Sequence, residues 1–377
     1  MARQFLDIPE AQDLALQALY IATNGASWTD NTGWGGATAA DAFGVTVAGG
    51  VVTGIDLHGN NLDGTIDISL FDDLPNCILF LAYVNTSFIM TGSIADNSTL
   101  IYLRIHSTSS VITGSIADNS TLTELHVFGT PSVITGSIAD NSTLIYLRLP
   151  STSSVITGSI ADNSTLAYLH VGSTSSVITG GDGTLGAYLY EEIKLDDNAY
   201  TTAQIDEIIN AIYRLRANFT YATPSLNIGG TNAAPTGIYQ EGTQSTPAEK
   251  LYALVNDPNT EGFNTWTVTY SNKPVCGTGF ASKILSTQAQ LNMPVSVPDG
   301  GSLTVTFKKV SDDSTIDTDT VVGEGIATCD WAGLSAYTAY AWYAVADDGD
   351  TTTQSANVSF TTNPAISNFN LNLGLYL

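Results

Sequence analysis

A segment close to VITGSIADNSTLIYL returns four times along this chain, its Thr-Gly pair falling at Thr91, Thr113, Thr135 and Thr157, with a degenerate fifth copy at Thr179. Each step is 22 residues. A short fixed period of this kind builds stacked coils, each touching only its neighbours, so the chain must contain a solenoid. Solenoids present surfaces and seldom enclose a reaction chamber. The repeat alone therefore favours binding or scaffolding over catalysis.

Composition narrows the partners. The formal net charge of −25 repels phosphate backbones, which argues against nucleic acid as a ligand. Only 12% of residues are charged while 43% are hydrophobic, the balance of a folded chain. The surface is thus polar but largely uncharged, as in extracellular fibres and adhesins. Cys77, Cys276 and Cys329 show no CxxC spacing, so a zinc site or a disulfide framework is not expected. Cys276 and Cys329 share a region, and the favoured reading is that they are buried free thiols. No apolar run is long enough to span a membrane, and the N-terminus lacks the apolar core of a signal peptide. The expectation from this is either that an export signal has been removed or that the chain leaves its cell without one, as a virus particle does by lysis.

Along the chain, Pro9 to Asn24 carries a helical stripe of Leu14, Ala18, Leu19 and Ala22. A turn-rich stretch with two tryptophans follows, then short strands at Val51-Val52 and Ile55–Leu57. The run Ile55-Asp-Leu57-His-Gly-Asn60-Asn-Leu62-Asp-Gly64-Thr-Ile66 fits LxLxxNxLxGxI and resembles the leucine-rich-repeat consensus of the plant-like and bacterial type. The helix before it resembles the N-terminal cap of such repeats. The resemblance implies one short strand per coil on a concave face, and a buried asparagine ladder between coils. In the central copies the LxL strand is supplied by Leu103-Arg-Ile105, Leu125-His-Val127, Leu147-Arg-Leu149 and Leu169-His-Val171. There the consensus asparagine is missing. Thr108, Thr130, Thr152 and Thr174 recur in the lengthened loop, and hydroxyls are expected to do its work.

The consensus returns at Ile193–Tyr200. A helix opened by the Thr201/Gln204 capping box follows, and another opened by Thr246-Pro247-Ala-Glu249. These helices are expected to cap the last apolar edge of the solenoid. After Pro274, strands alternate with turn signals at Pro294, Pro298–Gly301 and Asp348-Gly349, the grammar of a small β-sandwich that resembles fibronectin-III or immunoglobulin-like domains. The fold class is therefore β-rich α/β, a solenoid followed by a sandwich. Its parts are a helical cap at 1–50, a solenoid at 51–271, a sandwich at 272–362 and a terminal strand or anchor at 363–377. The last of these alternates Ile366, Phe369, Leu371, Leu373, Leu375 and Leu377, a pattern suited to adding a strand to a partner subunit.

The open face of the LxL strands yields the candidate site. It carries Tyr102, Arg104 and His106; Glu124, His126 and Phe128; Tyr146, Arg148 and Pro150; Tyr168, His170 and Gly172. Two of eleven basic residues and three of four histidines fall in this small set. Tyrosine beside arginine suits recognition of sugar or protein. The bland alternative is that duplication copied exposed strand residues with good β-propensity. If imidazole charge matters, anionic ligands should bind better below about pH 6.5. A second column, Asp96, Asp118, Asp140 and Asp162, would stack carboxylates roughly 5 Å apart. Calcium could relieve that repulsion, against the alternatives of a solvated face or turn-capping carboxylates. No cofactor is otherwise called for. The Asn-Ser-Thr triplets beside these aspartates are glycosylation sequons in form.

No HExxH, GxSxG or phosphate-binding glycine loop is present, so the chain is read as a non-enzyme. The expected role is an extracellular recognition or structural protein. A bacteriophage fibre, tail or capsid-decoration protein leads, with a bacterial surface adhesin or an intracellular scaffold as alternatives. Partners would be a host-surface glycan or protein, and other virion or cell-surface subunits held through the sandwich and terminal strand. Homo-oligomer formation remains open at this stage.

Overall fold

In the computed structural model the described residues are 4–83, 85, 87–96, 99–106, 109–128, 132–183, 188–240, 242–256 and 264–365. They form two compact units, one of residues 1–232 with 253–270, the other of 233–252 with 271–377. The segment 233–252, placed with the solenoid on sequence grounds, groups with the second unit.

The first unit opens with α1 (Glu10–Ala22). Phe5, Tyr20, Trp28 and Trp34 form an aromatic cluster around it. Asp13 is fully buried there, yet it accepts from the amides of Gln4 and Phe5 and from Gln17 Nε2, each at 2.9 Å. A buried carboxylate persists only with such partners. The two short strands expected near Val51 are one, Val51–Asp56, paired antiparallel with Val45–Ala48.

Next come ten strands in one sheet, parallel after that first pair, from Val45–Ala48 to Thr267–Tyr270. The central members are Leu79–Ala82, Tyr102–His106, Glu124–Phe128, Tyr146–Arg148, Tyr168–His170 and Glu192–Lys194. They stack without slippage: Leu103 opposes Leu125, Leu125 opposes Leu147, and Leu147 opposes Leu169. These leucines are 0% exposed, so a one-residue slip would turn the whole apolar row outward.

The expectation of one strand per coil is corrected. Each central coil has two. The VITGS segments, such as Val111–Ser115 and Val133–Ser137, build a second, six-stranded parallel sheet. Its isoleucines, Ile112, Ile134, Ile156 and Ile178, are buried and their valine neighbours exposed, a clear period of two. At the end of each such strand a glycine turns the chain. Gly136 has φ +111°, and a Cβ there would come within 2.7 Å of Ser115 Oγ.

The capping of α2 (Thr202–Leu215) is the expected reciprocal Thr201/Gln204 box. Its position differs from expectation. It packs on Gly180, beside the last strand of the six-stranded sheet, in place of a further strand there. In α3 (Pro247–Asn256) the Glu249 amide donates to Thr246 Oγ1 while the Glu249 carboxylate accepts from Thr246 N.

Between coils the expected hydroxyls of the lengthened loop are at work, as serines more than as the recurrent threonines, with an asparagine ladder beside them. Thr108 and Thr130 lie outside the described residues. Thr152 donates to the Leu149 carbonyl of its own coil, while Thr174 meets the Val171 carbonyl and also Asn198 Oδ1 of the next coil at 3.0 Å. The central coils are joined by two other ladders. Serines make the first: Ser110, Ser132, Ser154 and Ser176 accept from the amides of Met90, Ile112, Ile134 and Ile156 at 2.9–3.1 Å. The asparagines of the Asn-Ser-Thr triplets make the second. Asn119, Asn141 and Asn163 each donate from Nδ2 to a carbonyl one coil back, at Ile94, Ile116 and Ile138, and each Oδ1 accepts from two amides ahead. In the flanking coils Asn85, Asn198 and Asn232 hold the consensus ladder.

Two corollaries follow. Asn119, Asn141 and Asn163 are buried fasteners. Folded protein recovered from a glycosylating host is therefore expected to carry no glycan at Asn119, Asn141 or Asn163; a glycopeptide at any of them in mass spectra of the folded fraction would contradict the ladder. The aspartates do not cap the turns either. That work falls to Ser115, Ser137 and Ser159, whose Oγ atoms accept from the amide two residues on. Asp96, Asp118, Asp140 and Asp162 are exposed, and among the described residues no group of three or more potential metal ligands gathers.

The second unit is two antiparallel sheets. Gln288–Ser296 pairs along its length with Glu324–Ala332, and on its other side with Val275–Cys276 and Phe280–Ser282. The facing sheet runs Thr315–Val322, Ser302–Lys309, Ala339–Asp347, then Thr352–Gln354 and Val358–Thr361 along one edge. Leu291, Met293, Phe307, Trp342 and Ala344 form the core between them. Pro294, read as a turn signal, lies within a strand. Its carbonyl bonds Gly277, so its missing N–H faces the break between the two short partners, where no ladder donor is needed. Tyr340 Oη accepts from the Ser335 amide at 2.8 Å, the corner contact of immunoglobulin-like sandwiches. Cys276 and Cys329 are free, on opposite sides of one strand. Burial and nearby aspartates push the Cys329 thiol up to about 12. The segment 366–377, read as an anchoring strand, lies outside the described residues. No helix among the described residues is long and apolar enough to cross a membrane.

Candidate functional site on the ten-stranded sheet

Parallel register turns scattered sequence positions into rows. The middle residues of successive strands are Arg104, His126, Arg148, His170 and Lys194, each directly opposite the next. Strand spacing puts neighbours about 4.8 Å apart. The row beside it is Tyr102, Glu124, Tyr146, Tyr168 and Glu192. Lys194 and Glu192 were absent from the sequence set, although Ile193-Lys-Leu195 repeats the LxL pattern and the same parity places them on the open face. The register with the preceding strand agrees with that motif.

Two depressions share Arg104 and His126. One, of about 170 Å³, is bounded by Tyr83, Ile105, His106 and Phe128 as well. The other, of about 300 Å³, adds Glu124, Tyr146, Arg148, Tyr168, His170 and Glu192. Of the ten residues picked from sequence, nine line this trough and Tyr102 does not. Pro150 and Gly172, the third-position residues of their coils, line neither depression.

The charges are not equivalent. Arg104 is held by Glu124 in a two-pronged pair, Nε to Oε1 and Nη2 to Oε2, the latter at 3.0 Å. Glu124 is 6% exposed, so this pair is part of the wall. Arg148 has no carboxylate partner among the described residues. Its Nε donates to His170 Nδ1 at 3.1 Å, and its guanidinium lies 5.0 Å from the centre of the Phe128 ring. Tyr146 and Tyr168 stack with centroids 4.2 Å apart and planes 11° apart. Hydrogen bonds to Glu191 and Tyr146 raise the Tyr168 phenol above its ordinary value.

The histidines correct the expected pH response. Burial, then the charges of Arg148 and Arg104, press His126 down to about 3. Burial, then Lys194 and Arg148, press His170 down to about 4. Both rings are neutral at physiological and mildly acidic pH. The Arg148 bond requires this for His170, since Nδ1 must accept. His126 Nε2 is shielded from solvent with no partner. What the trough offers is one free guanidinium, neutral imidazoles, phenols and two carboxylates. It holds no nucleophile paired with a base.

No family model matches the chain, and no curated protein does. Among solved structures it is similar to a computationally redesigned β-sandwich protein, at 24% identity over 24% of this chain and 95% of that one, TM-score 0.19. It is similar to the sensor domain of the anti-sigma factor RsgI4 of Pseudobacteroides cellulosolvens, at 14% identity over 24% of this chain and 94% of that one, TM-score 0.20. It is also similar to the third fibronectin III domain of a human protein, at 15% identity over 26% of this chain and 89% of that one, TM-score 0.19. The chain is a parallel-sheet repeat region followed by an antiparallel β-sandwich.

Proposed function

We propose that this is a non-enzymatic recognition and structural protein acting outside the cell, whose ten-stranded sheet binds a host-surface ligand. The coils are read as leucine-rich repeats of the plant-like and bacterial type, on the LxLxxNxLxGxI run and the flanking Asn85, Asn198 and Asn232 ladder. Within that reading a bacteriophage fibre, tail or capsid-decoration protein is favoured, the sandwich and the terminal segment serving attachment to other subunits. The observation that carries the binding role is the unbroken row Arg104, His126, Arg148, His170 and Lys194 in a chain of net charge −25. Basic residues are scarce here, and spending three of eleven on one solvent-facing row is what ligand recognition requires.

Replacing Arg104, His126, Arg148 and His170 together with Ala is expected to leave the fold intact by circular dichroism and to reduce attachment to host cells at least about tenfold. Undiminished attachment by the folded quadruple variant would remove this face as the site. Mass spectrometry of purified virions against the secreted fraction of a bacterial host separates the virion role from that of a cell-surface adhesin.

A further inference from the structure

Resting on that reading of the sheet, we infer that the ligand is a glycan bearing an isolated carboxylate, a uronate or sialate residue, and that Arg148 holds the carboxylate. Of the two arginines in the trough only Arg148 is uncommitted. Glu124 occupies the Nε/Nη2 side of Arg104 and offsets its charge. His170 takes only the Nε of Arg148, and in doing so orients the group and leaves both terminal nitrogens for a bidentate carboxylate. The Phe128 ring backs the guanidinium at 5.0 Å, and such support lowers the ordering needed on binding.

The surroundings choose sugar over acidic peptide. Glu124 and Glu192 line the same depression as Arg148. Arg104 and Glu124 offset each other there, which sets Arg148 against Glu192 and leaves no surplus of positive charge for a run of carboxylates. Glu124 and Glu192, with the Tyr146 and Tyr168 phenols and the neutral imidazoles, are acceptors and donors for hydroxyl groups. A single carboxylate surrounded by hydroxyls is the chemistry of an acidic sugar. At long range the net charge of −25 further disfavours a polyanion.

The test is isothermal titration of the full chain with glucuronate-, galacturonate- and sialate-terminated oligosaccharides, each against its carboxyl-reduced counterpart and against an oligoglutamate peptide. At least one acidic oligosaccharide is expected to bind about tenfold or more tighter than its reduced form. R148Q should erase that difference. R148K, which keeps the charge without the fork, should retain only part of it and stands in if R148Q fails to fold. E192Q should improve oligoglutamate binding. The inference is overturned if no carboxylated glycan outperforms its reduced form, if oligoglutamate binds best, or if R148Q and R148K both keep the full preference. Should these fail while the quadruple Ala variant still loses host attachment, the recognition face stands and only the ligand class falls.

Discussion

Asn141→Ala is expected to be among the most damaging single substitutions in the first unit. Its Nδ2 serves the carbonyls of Ile116 at 2.6 Å and Asn119 at 3.3 Å, and its Oδ1 the amides of Thr143 at 3.1 Å and Leu144 at 2.8 Å. Alanine orphans these backbone groups in a site where the asparagine is 6% exposed. Each buried unsatisfied group costs about 1–3 kcal/mol, so the loss is on the order of 4 kcal/mol or more. That is a large share of the ~5–15 kcal/mol that holds a typical domain together. The adjacent Asp140→Ala is the control: its exposed carboxylate supports no ladder, and the change should stay within about 0.5 kcal/mol. Urea unfolding followed by circular dichroism reads both. Because coils couple chiefly to their neighbours, Asn141→Ala should also separate the transition of the coils on either side. A loss below about 1 kcal/mol would show that the ladder is dispensable.

Acid should weaken the first unit through the two neutral histidines. In the unfolded chain an imidazole titrates near 6.5, while in the fold His126 is held at about 3 and His170 at about 4. Folded-state values below the unfolded one mean that the unfolded chain takes up protons first. Stability from this source is whole above about pH 6.5. It declines as pH falls through 6 and 5 and is lost by the folded-state values. After allowance for partial solvent access, the pair should cost roughly 2–4 kcal/mol between pH 7 and 4. The variant His126→Asn/His170→Asn should flatten that limb while leaving carboxylate titration below pH 4 unchanged. Ligand binding, in contrast, should vary little between pH 5 and 8, because neither ring changes charge there. A wild-type stability profile parallel to that of the double variant would show that the rings do not resist protonation.

The two experiments probe different uses of one repeat. The asparagine and serine ladders face inward and make the coils stack. The Arg and His positions lie on the open side of the sheet and hold no backbone ladder, although Arg104 pairs with Glu124 of the next coil. Duplication copied both, which is why the site is periodic at all.

The period of 22 residues and the alternation in Leu103-Arg-Ile105 determined the stacked parallel sheet and which residues leave it, since side-chain direction in a strand depends only on parity. The Thr201/Gln204 and Thr246/Glu249 caps were equally legible, because capping is settled within four residues. Three matters were decided only by the tertiary structure. The VITGS segments are strands because a second sheet forms against the first, and a five-residue alternating run cannot announce its partner. The ladder belongs to Asn119, Asn141 and Asn163 because coil stacking carries their amides to carbonyls 25 residues back. Finally, Arg104 and Arg148 occupy the same place in the repeat and read alike in sequence. Glu124 stands where other coils carry tyrosine and closes on Arg104 across the rungs, leaving Arg148 as the guanidinium that remains free.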